Sequence, residues 1–122
     1  MRVMIIGASA DRSKFGNKAV RAHLAAGDTV LPVNPAGGEI EGLRVSKTIA
    51  EAPGPIERAV LYVREPQGLE AVAALAARGD VTEVWLSPGA DSDAVVARAE
   101  ALKLNPVQAC SIVDVAGRHP ED

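Results

Sequence analysis

Apolar residues along this chain follow two rhythms. Short unbroken runs alternate with segments in which apolar side chains recur every three or four residues. The runs predict five strands, at 2–6, 29–33, 58–63, 83–86 and 106–109. Continuous apolar runs, as opposed to strict alternation, mark strands covered on both faces. The fifth run is short and headed by Pro106, which suits an edge strand because proline cannot donate to a ladder. Between the runs, Leu69, Val72, Ala73 and Ala76 fall on one face of a helix over 66–78, which Gly79 stops. Val95, Ala99 and Leu102 make a similar stripe over 92–102, with Asp91 or Ser92 available as N-cap. A helix-prone stretch at 17–26 ends at Gly27, a C-cap residue. Residues 48–52 hold at most one helical turn before Pro53-Gly54-Pro55 breaks it.

Strands alternating with helices predict an α/β fold: a doubly wound, Rossmann-like, mainly parallel five-stranded sheet with helices on both faces. No internal repeat, low-complexity tract or linker interrupts the pattern. One domain is expected over 3–115, followed by a polar C-terminal tail, 116–122, that frays from His119 onward.

Bulk properties narrow the class. A chain of 122 residues buries roughly two-thirds of its unfolded surface and needs no disulfide or metal to fold. Aromatics make up only 2% of the residues, so the core must be aliphatic. The net charge of -3, without a basic run longer than two residues, argues against a nucleic-acid surface. No apolar stretch approaches the ~20 residues of a membrane span, and the N-terminus lacks a signal-peptide pattern. The lone Cys110 cannot form an internal disulfide. A cytoplasmic protein is expected.

In a doubly wound sheet, ligands bind outside the carboxyl ends of the strands. The first such junction is the most informative. Val3-Met4-Ile5-Ile6 runs into Gly7-Ala8-Ser9, continues through Arg12 and Lys14, and closes on Phe15-Gly16-Asn17 before the first helix. A glycine turn leading into a helix N-terminus directs backbone N–H groups and a positive helix end at one spot, which suits a phosphate. The plain alternative is that Gly7 only permits the turn and that both cations are solvated. Neither common nucleotide signature is present. Gly7 and Gly16 are too far apart for G-x-G-x-x-G, and no Gly-Lys-Ser/Thr follows for a Walker A loop. Where a nicotinamide site places an acid after strand two, this chain has Asn34-Pro35, which also reads as an ordinary turn.

The remaining strand ends offer Arg64-Glu65 (expected to neutralise each other at the surface), Ser87-Pro88-Gly89 and Cys110-Ser111. Trp85 reads as core. His23 and His119 read as surface residues. Two distant histidines and one cysteine show no metal-ligand spacing, and no catalytic constellation is visible. Cys110 reads first as a small buried hydrophobe, with a thiol facing a thiol or thioester ligand as the alternative.

Taken in order, Gly7-Ala8-Ser9, Phe15-Gly16-Asn17-Lys18, Val33-Asn34-Pro35, Tyr62-Val63, Val84 to Ala90, and Asn105-Pro106 before Cys110 resemble the small stand-alone coenzyme A (CoA)-binding proteins. These are similar to the CoA-binding domain of the succinyl-CoA synthetase alpha subunit. The resemblance implies a Rossmann-like domain that binds CoA, with Gly7, Ala8 and Ser9 at the pyrophosphate. It implies Lys14, Phe15, Gly16 and Asn17 closing over that site, with Asn34 and Pro35 bounding the adenosine. Val63 and Arg64 would border the pantetheine, with Ser87, Pro88 and Gly89 beyond. The chain lacks the synthetase's second domain and its phosphorylated histidine, so ligase chemistry is not expected. The resulting expectation is a non-catalytic carrier, sensor or accessory module for CoA or an acyl-CoA, with Arg12 or Lys14 on the phosphates. Its partner is then a small molecule, with neither nucleic acid nor membrane involved and no protein partner specified. The alternatives are an NAD(P)-dependent oxidoreductase fragment and a protein-interaction subunit with a vestigial nucleotide site.

Overall fold

Strand β1 (Arg2–Ile6) is the second strand of a five-stranded parallel sheet, between the edge strand β2 (Thr29–Val33) and the central strand β5 (Ile56–Leu61). β6 (Val81–Leu86) and β7 (Pro106–Gln108) continue outward from β5, so β7 is an edge strand, as Pro106 requires. The chain moves one way from β1 to β2 and the other way from β5 onward, which puts the switch point between β1 and β5. The structure is a computed structural model that describes residues 1–116. Beyond Ala116 the expected tail, His119 included, lies outside the described residues.

Four helices cover the sheet: α1 (Phe15–Ala25), α2 (Gln67–Arg78), α3 (Asp93–Ala101) and α4 (Ser111–Ala116). α1 packs with α4, and α2 packs with α3. The alternation of side chains along each strand divides the core between the two faces. Val3, Ile5, Val60 and Trp85 face one cluster with Ala19 and Val20 of α1. Met4, Ile6, Ala59, Leu61, Val84 and Leu86 join Val72 and Leu75 of α2 and Val95 and Ala99 of α3. Both faces being covered is why the strands read as unbroken apolar runs. Ser92 caps α3 by accepting from the Val95 N–H, and Gly79 ends α2 with φ 76°, as the sequence predicts.

Several boundaries and one exposure differ from expectation. β5 covers Ile56–Leu61, not 58–63, so Tyr62 and Val63 belong to the loop at the strand's carboxyl end. β6 begins earlier, at Val81, and β7 ends at Gln108. A small antiparallel hairpin, β3 (Glu39–Ile40) and β4 (Leu43–Arg44), has strands of two residues each, too short for periodicity to register. Residues 48–52 form a single turn, as expected, carrying the reciprocal bonds of a capping box, Thr48 N–H to Glu51 Oε1 at 2.9 Å and Glu51 N–H to Thr48 Oγ1 at 3.2 Å. The turn ends there because Pro53 and Pro55 follow.

His23 is not a surface residue. It is 0% exposed, on the inward stripe of α1 with Gly16, Ala19 and Val20. Its Nδ1 lies 2.8 Å from Asp28 Oδ2 and its Nε2 lies 2.8 Å from Ser111 Oγ. The Ser111 hydroxyl accepts from Arg58 Nη1 at 3.1 Å, which leaves its own proton for His23 Nε2. Nδ1 then carries the imidazole proton and donates to Asp28. Arg58 also bonds Asp114 at 2.8 Å and Glu83 at 2.9 Å, and stacks over Trp85 at 4.0 Å. The serine, histidine and aspartate follow the order of a catalytic triad, but Ser111 is 0% exposed and no substrate can reach it. The network instead pins α4 to α1 and β5.

Two aspartates tie this scaffold to pH. Burial pushes the Asp28 carboxyl up, but the bonds from His23 and the N-terminal amine (3.0 Å) outweigh it and hold it below its ordinary value. Asp80 is held down by the two-pronged Arg78, which also donates to the Ile49 and Ala52 carbonyls at 2.7 Å each. A depressed carboxylate stabilises the fold above its unfolded pKa, and that contribution fades as pH falls through the folded value. Urea midpoints are therefore expected to drop on acidification below the ordinary Asp value of 3.8, and Asp80→Asn should flatten that drop. His23→Ala should cost about 2–4 kcal/mol at neutral pH, because it opens a cavity and breaks two buried hydrogen bonds. An unchanged urea midpoint in that variant would show the network to be incidental.

Candidate functional site

Gly7 ends β1 in a conformation only glycine adopts readily, with φ +86°. Its N–H donates to the Val33 carbonyl at 3.2 Å, and the Tyr62 N–H donates to the Ile6 carbonyl at 2.8 Å. The loop therefore starts anchored to both neighbouring strands. A Cβ on Gly7 would lie 2.8 Å from the Tyr62 carbonyl oxygen, and a Cβ on Gly16 would lie 2.2 Å from the Gly7 carbonyl oxygen. The start of α1 is thus pressed directly against the end of β1.

This packing leaves α1 open at its N-terminus. Lys14 is the N-cap residue and forms no side-chain cap, and the first turn holds no acid. Among the described residues no hydrogen bond engages the N–H of Ala8, Ser9, Phe15 or Gly16. These donors and the positive helix end at a glycine turn have the arrangement that suits an anion.

The loop side chains divide into bracing and free groups. Asn17 is buried; its Nδ2 donates to the Ser9 carbonyl at 2.9 Å and to Glu41 Oε2 at 3.2 Å, and its Oδ1 accepts from Arg21 Nε at 2.8 Å. It supports the loop from beneath. Arg12 is exposed, and its Nη2 lies 3.5 Å from Glu41 Oε1 at the tip of the β3–β4 hairpin. Both Arg12 and Lys14 are expected to be available to phosphate; Arg12 has the Glu41 carboxylate beside it, whereas the Lys14 charge acts on the Asp11 carboxylate without a direct ion pair among the described residues. Ser9 Oγ accepts from the Asp11 N–H at 3.1 Å, and Asp11 in turn accepts from the Ser13 hydroxyl at 2.7 Å, which lowers the Asp11 pKa.

Asn34 serves as a turn and as a tie. Its Oδ1 accepts from the Ala36 N–H at 2.8 Å, and its Nδ2 donates to the Ala8 carbonyl at 2.8 Å. Its backbone N–H donates to the Ser46 carbonyl at 3.0 Å. The second strand end is thereby tied to the first loop, with Pro35 exposed beside it.

Two clefts open at the switch point and meet at Gly7, Val63 and Arg64. One, of about 680 Å³, runs between Asn34-Pro35, Lys47 to Ala50, and the first turns of α2. The other, of about 380 Å³, runs between Lys14, Phe15 and Gly16 on one side and Tyr62, Pro88 and Gly89 on the other. Phe15 is 63% exposed at its rim, with Lys18 Nζ 4.8 Å from the ring centre. Together they form an elongated groove with the start of α1 near its middle. A larger hollow of about 1020 Å³ lies outside the edge of β2 against the hairpin. No helix N-terminus opens into it, so the switch-point groove is the candidate site.

Most sequence-predicted site residues converge on this groove. Arg64 does not pair with Glu65; Glu65 accepts instead from the Ser92 hydroxyl, leaving the Arg64 side chain exposed at the junction of the clefts. Ser87 is 1% exposed and lies behind the wall of the second cleft. Lys47, Thr48 and Ile49 were missed. They reach the groove because residue 46 bridges to Val33 beside β2, a pairing of one residue that leaves no periodic trace. The hydroxyls of Tyr62 and Ser87 and the Trp85 indole nitrogen are buried without hydrogen-bond partners among the described residues. Burial pushes the Tyr62 phenol above its ordinary value; the nearby Ser87 hydroxyl pulls it back without reaching hydrogen-bonding geometry, and Cys110 adds to the rise. Among the described residues no cluster of His, Cys, Asp and Glu is placed to hold a metal, and no helix is long and apolar enough to cross a membrane.

The fold is a doubly wound α/β domain with an elongated groove at its switch point. Residues 1–116 match the family model described as CoA binding domain, and the chain belongs to that family. Solved structures share the fold. A conserved hypothetical protein from Pyrococcus furiosus is 28% identical with a TM-score of 0.82, covering 93% of this chain and 97% of its own. A protein from Thermus thermophilus is 21% identical with a TM-score of 0.83, covering 93% and 86%. A dinucleotide-forming acetyl-coenzyme A synthetase from Ca. Korarchaeum cryptofilum, in complex with phosphate and ADP, is 23% identical with a TM-score of 0.73. There the match covers 88% of this chain and 25% of the synthetase. No curated protein matches the sequence.

Gly16→Ala should be destabilising by roughly 2 kcal/mol or more, since its Cβ meets backbone that cannot yield cheaply. Gly7→Val should be worse, combining the same crowding with a positive φ. Thermal unfolding checks both, and a wild-type melting temperature in either would contradict the described packing.

Proposed function

We propose that this protein binds CoA or an acyl-CoA at the switch-point groove, as a non-catalytic carrier, sensor or accessory module in the cytoplasm. Membership of the CoA-binding family supports the ligand. The observation that carries the geometry is the uncapped start of α1, where the N–H groups of Ala8, Ser9, Phe15 and Gly16 have no partner among the described residues, beside Lys14. A pyrophosphate satisfies all of these donors at once.

The two clefts fit the two ends of such a ligand. Adenosine lies against Asn34-Pro35 and Ile49, where the Asn34 side chain is already spent on the Ala8 carbonyl and the Ala36 N–H. A nicotinamide dinucleotide would lack the acid after β2 that holds its ribose hydroxyls. The pantetheine arm passes Val63 and Arg64 toward Phe15, Pro88 and Gly89. The groove supplies binding and orientation, and among the described residues its lining pairs no nucleophile with a general base. The family resemblance to a synthetase domain fits a module that presents CoA to chemistry performed elsewhere.

Calorimetry at moderate salt should show CoA binding and no comparable NAD binding; tight NAD binding with no CoA signal would overturn the proposal. Replacing Arg12 and Lys14 together with Ala should weaken CoA by about 1–3 kcal/mol, the scale of hydrogen bonds to charged groups. Most of that loss should come from Lys14, because Glu41 already neutralises Arg12. Equal affinity in wild type and the double variant would assign phosphate binding to the backbone alone.

A further inference from the structure

Lys47 stands on the ridge between the cleft of about 680 Å³ and the hollow outside β2, and it lines both. The backbone on either side of it is anchored. Before it, the Ser46 N–H donates to the Pro32 carbonyl and the Ser46 carbonyl accepts from the Asn34 N–H, each at 3.0 Å. The Val45 N–H donates to the Gly38 carbonyl at 2.9 Å, which closes the turn 34–38 against the same segment. After it, Thr48 and Glu51 set the next turn, and Arg78 holds the Ile49 and Ala52 carbonyls at 2.7 Å each. Both oxygens of Asp80 hold Arg78 in turn, at 2.9 Å each. Lys47 is therefore carried between two anchors, one on β2 and one on α2.

Its side chain is directed as well. A Cβ on Gly37 would lie 2.9 Å from Lys47 Cε and 3.3 Å from Lys47 Cγ. The aliphatic stem thus lies across Gly37, over the turn that Asn34-Pro35 begins. A stem laid on backbone in this way leaves its ammonium in the open, and Lys47 is exposed. No carboxylate pairs with it among the described residues. Glu51, the acid nearest in sequence, has an oxygen engaged by the Thr48 N–H. The cleft's other charged lining residues are Arg64, on the β5 side where the clefts meet, and Glu70 on α2. The groove therefore has one positive place at the start of α1 and a second, separate one beyond β2.

CoA has two separate anionic places, its pyrophosphate and the 3′-phosphate on its ribose, and dephospho-CoA lacks the second. We propose that Lys47 is a specificity-determining residue that holds the 3′-phosphate, so that the groove takes CoA and its thioesters in preference to dephospho-CoA. The inference rests on the CoA reading of the groove. After β2, where an acid would repel such a phosphate, the chain has Asn34-Pro35. Lysine meets a phosphate as a point charge and demands no bidentate geometry. The two anchors and the contact with Gly37 reduce the freedom that the side chain loses on binding.

Calorimetry with CoA and with dephospho-CoA tests this on wild-type protein, Lys47→Gln and Lys47→Arg. Wild type should bind CoA about tenfold or more tightly than dephospho-CoA, the scale of one hydrogen bond to a charged group. Lys47→Gln, which keeps part of the stem over Gly37, should bring CoA down to the dephospho-CoA level and leave dephospho-CoA affinity unchanged. Lys47→Arg should keep the preference. Equal wild-type affinities for the two ligands overturn the inference while the CoA reading stands. A preference that survives in Lys47→Gln, or a loss in that variant shared equally by both ligands, does the same. Absent binding of both ligands to wild type overturns the groove reading and this inference with it.

Discussion

The contact between Gly16 and the Gly7 carbonyl governs this molecule. The first residues of α1 sit so close to the end of β1 that a single methyl group at Gly16 would fall 2.2 Å from a backbone oxygen. That closeness turns the helix start toward the switch point and keeps side chains from covering it. At this junction the N–H groups of Ala8, Ser9, Phe15 and Gly16 have no partner among the described residues. The packing of this junction and the direction of its free N–H groups are set together, so a substitution that shifted one would move the other. The tie from Asn34 to the Ala8 carbonyl and the brace from Asn17 to the Ser9 carbonyl hold the intervening loop in the geometry this requires.

A domain with so few aromatic residues has little apolar area to spare, and its peripheral elements depend on polar bonds. The six residues of α4 bury only Ser111 and Val115. The link from Ser111 to His23 and Arg58 adds what apolar burial does not. Buried polar networks are costly when incomplete, so they fix one arrangement rather than several. The β3–β4 hairpin depends on polar contacts in a similar way, through Glu41 against Asn17 and Arg12. Its tip touches the first loop, so the hairpin and the loop position one another.

The sheet and its ligand-binding end were legible because both follow from local rules. Apolar runs marked the parallel strands, Gly79 and Ser92 marked helix ends, and Gly7 marked the turn. Long-range polar pairing was not legible. His23 looked like a surface residue because its partner Ser111 is 88 positions away. Asn17 looked like a ligand contact because nothing in its neighbourhood announces Ser9 and Glu41 as partners. Lys47 and Ile49 come to the groove through a single bridge beside β2, and Arg64 faces the clefts because Glu65 is engaged by Ser92. In each case the decisive interaction joins segments that sequence periodicity treats separately.

The central claim is that CoA binds through the backbone N–H groups where β1 meets α1. Its most direct test is a residue-resolved amide NMR titration of the isotopically labelled protein with CoA. The account predicts that the largest shifts fall on Ala8, Ser9, Phe15 and Gly16, with smaller ones at Asn34, Ile49, Val63 and Gly89. Largest shifts in the β3–β4 hairpin and the β2 edge, with the four loop amides unmoved, would contradict it.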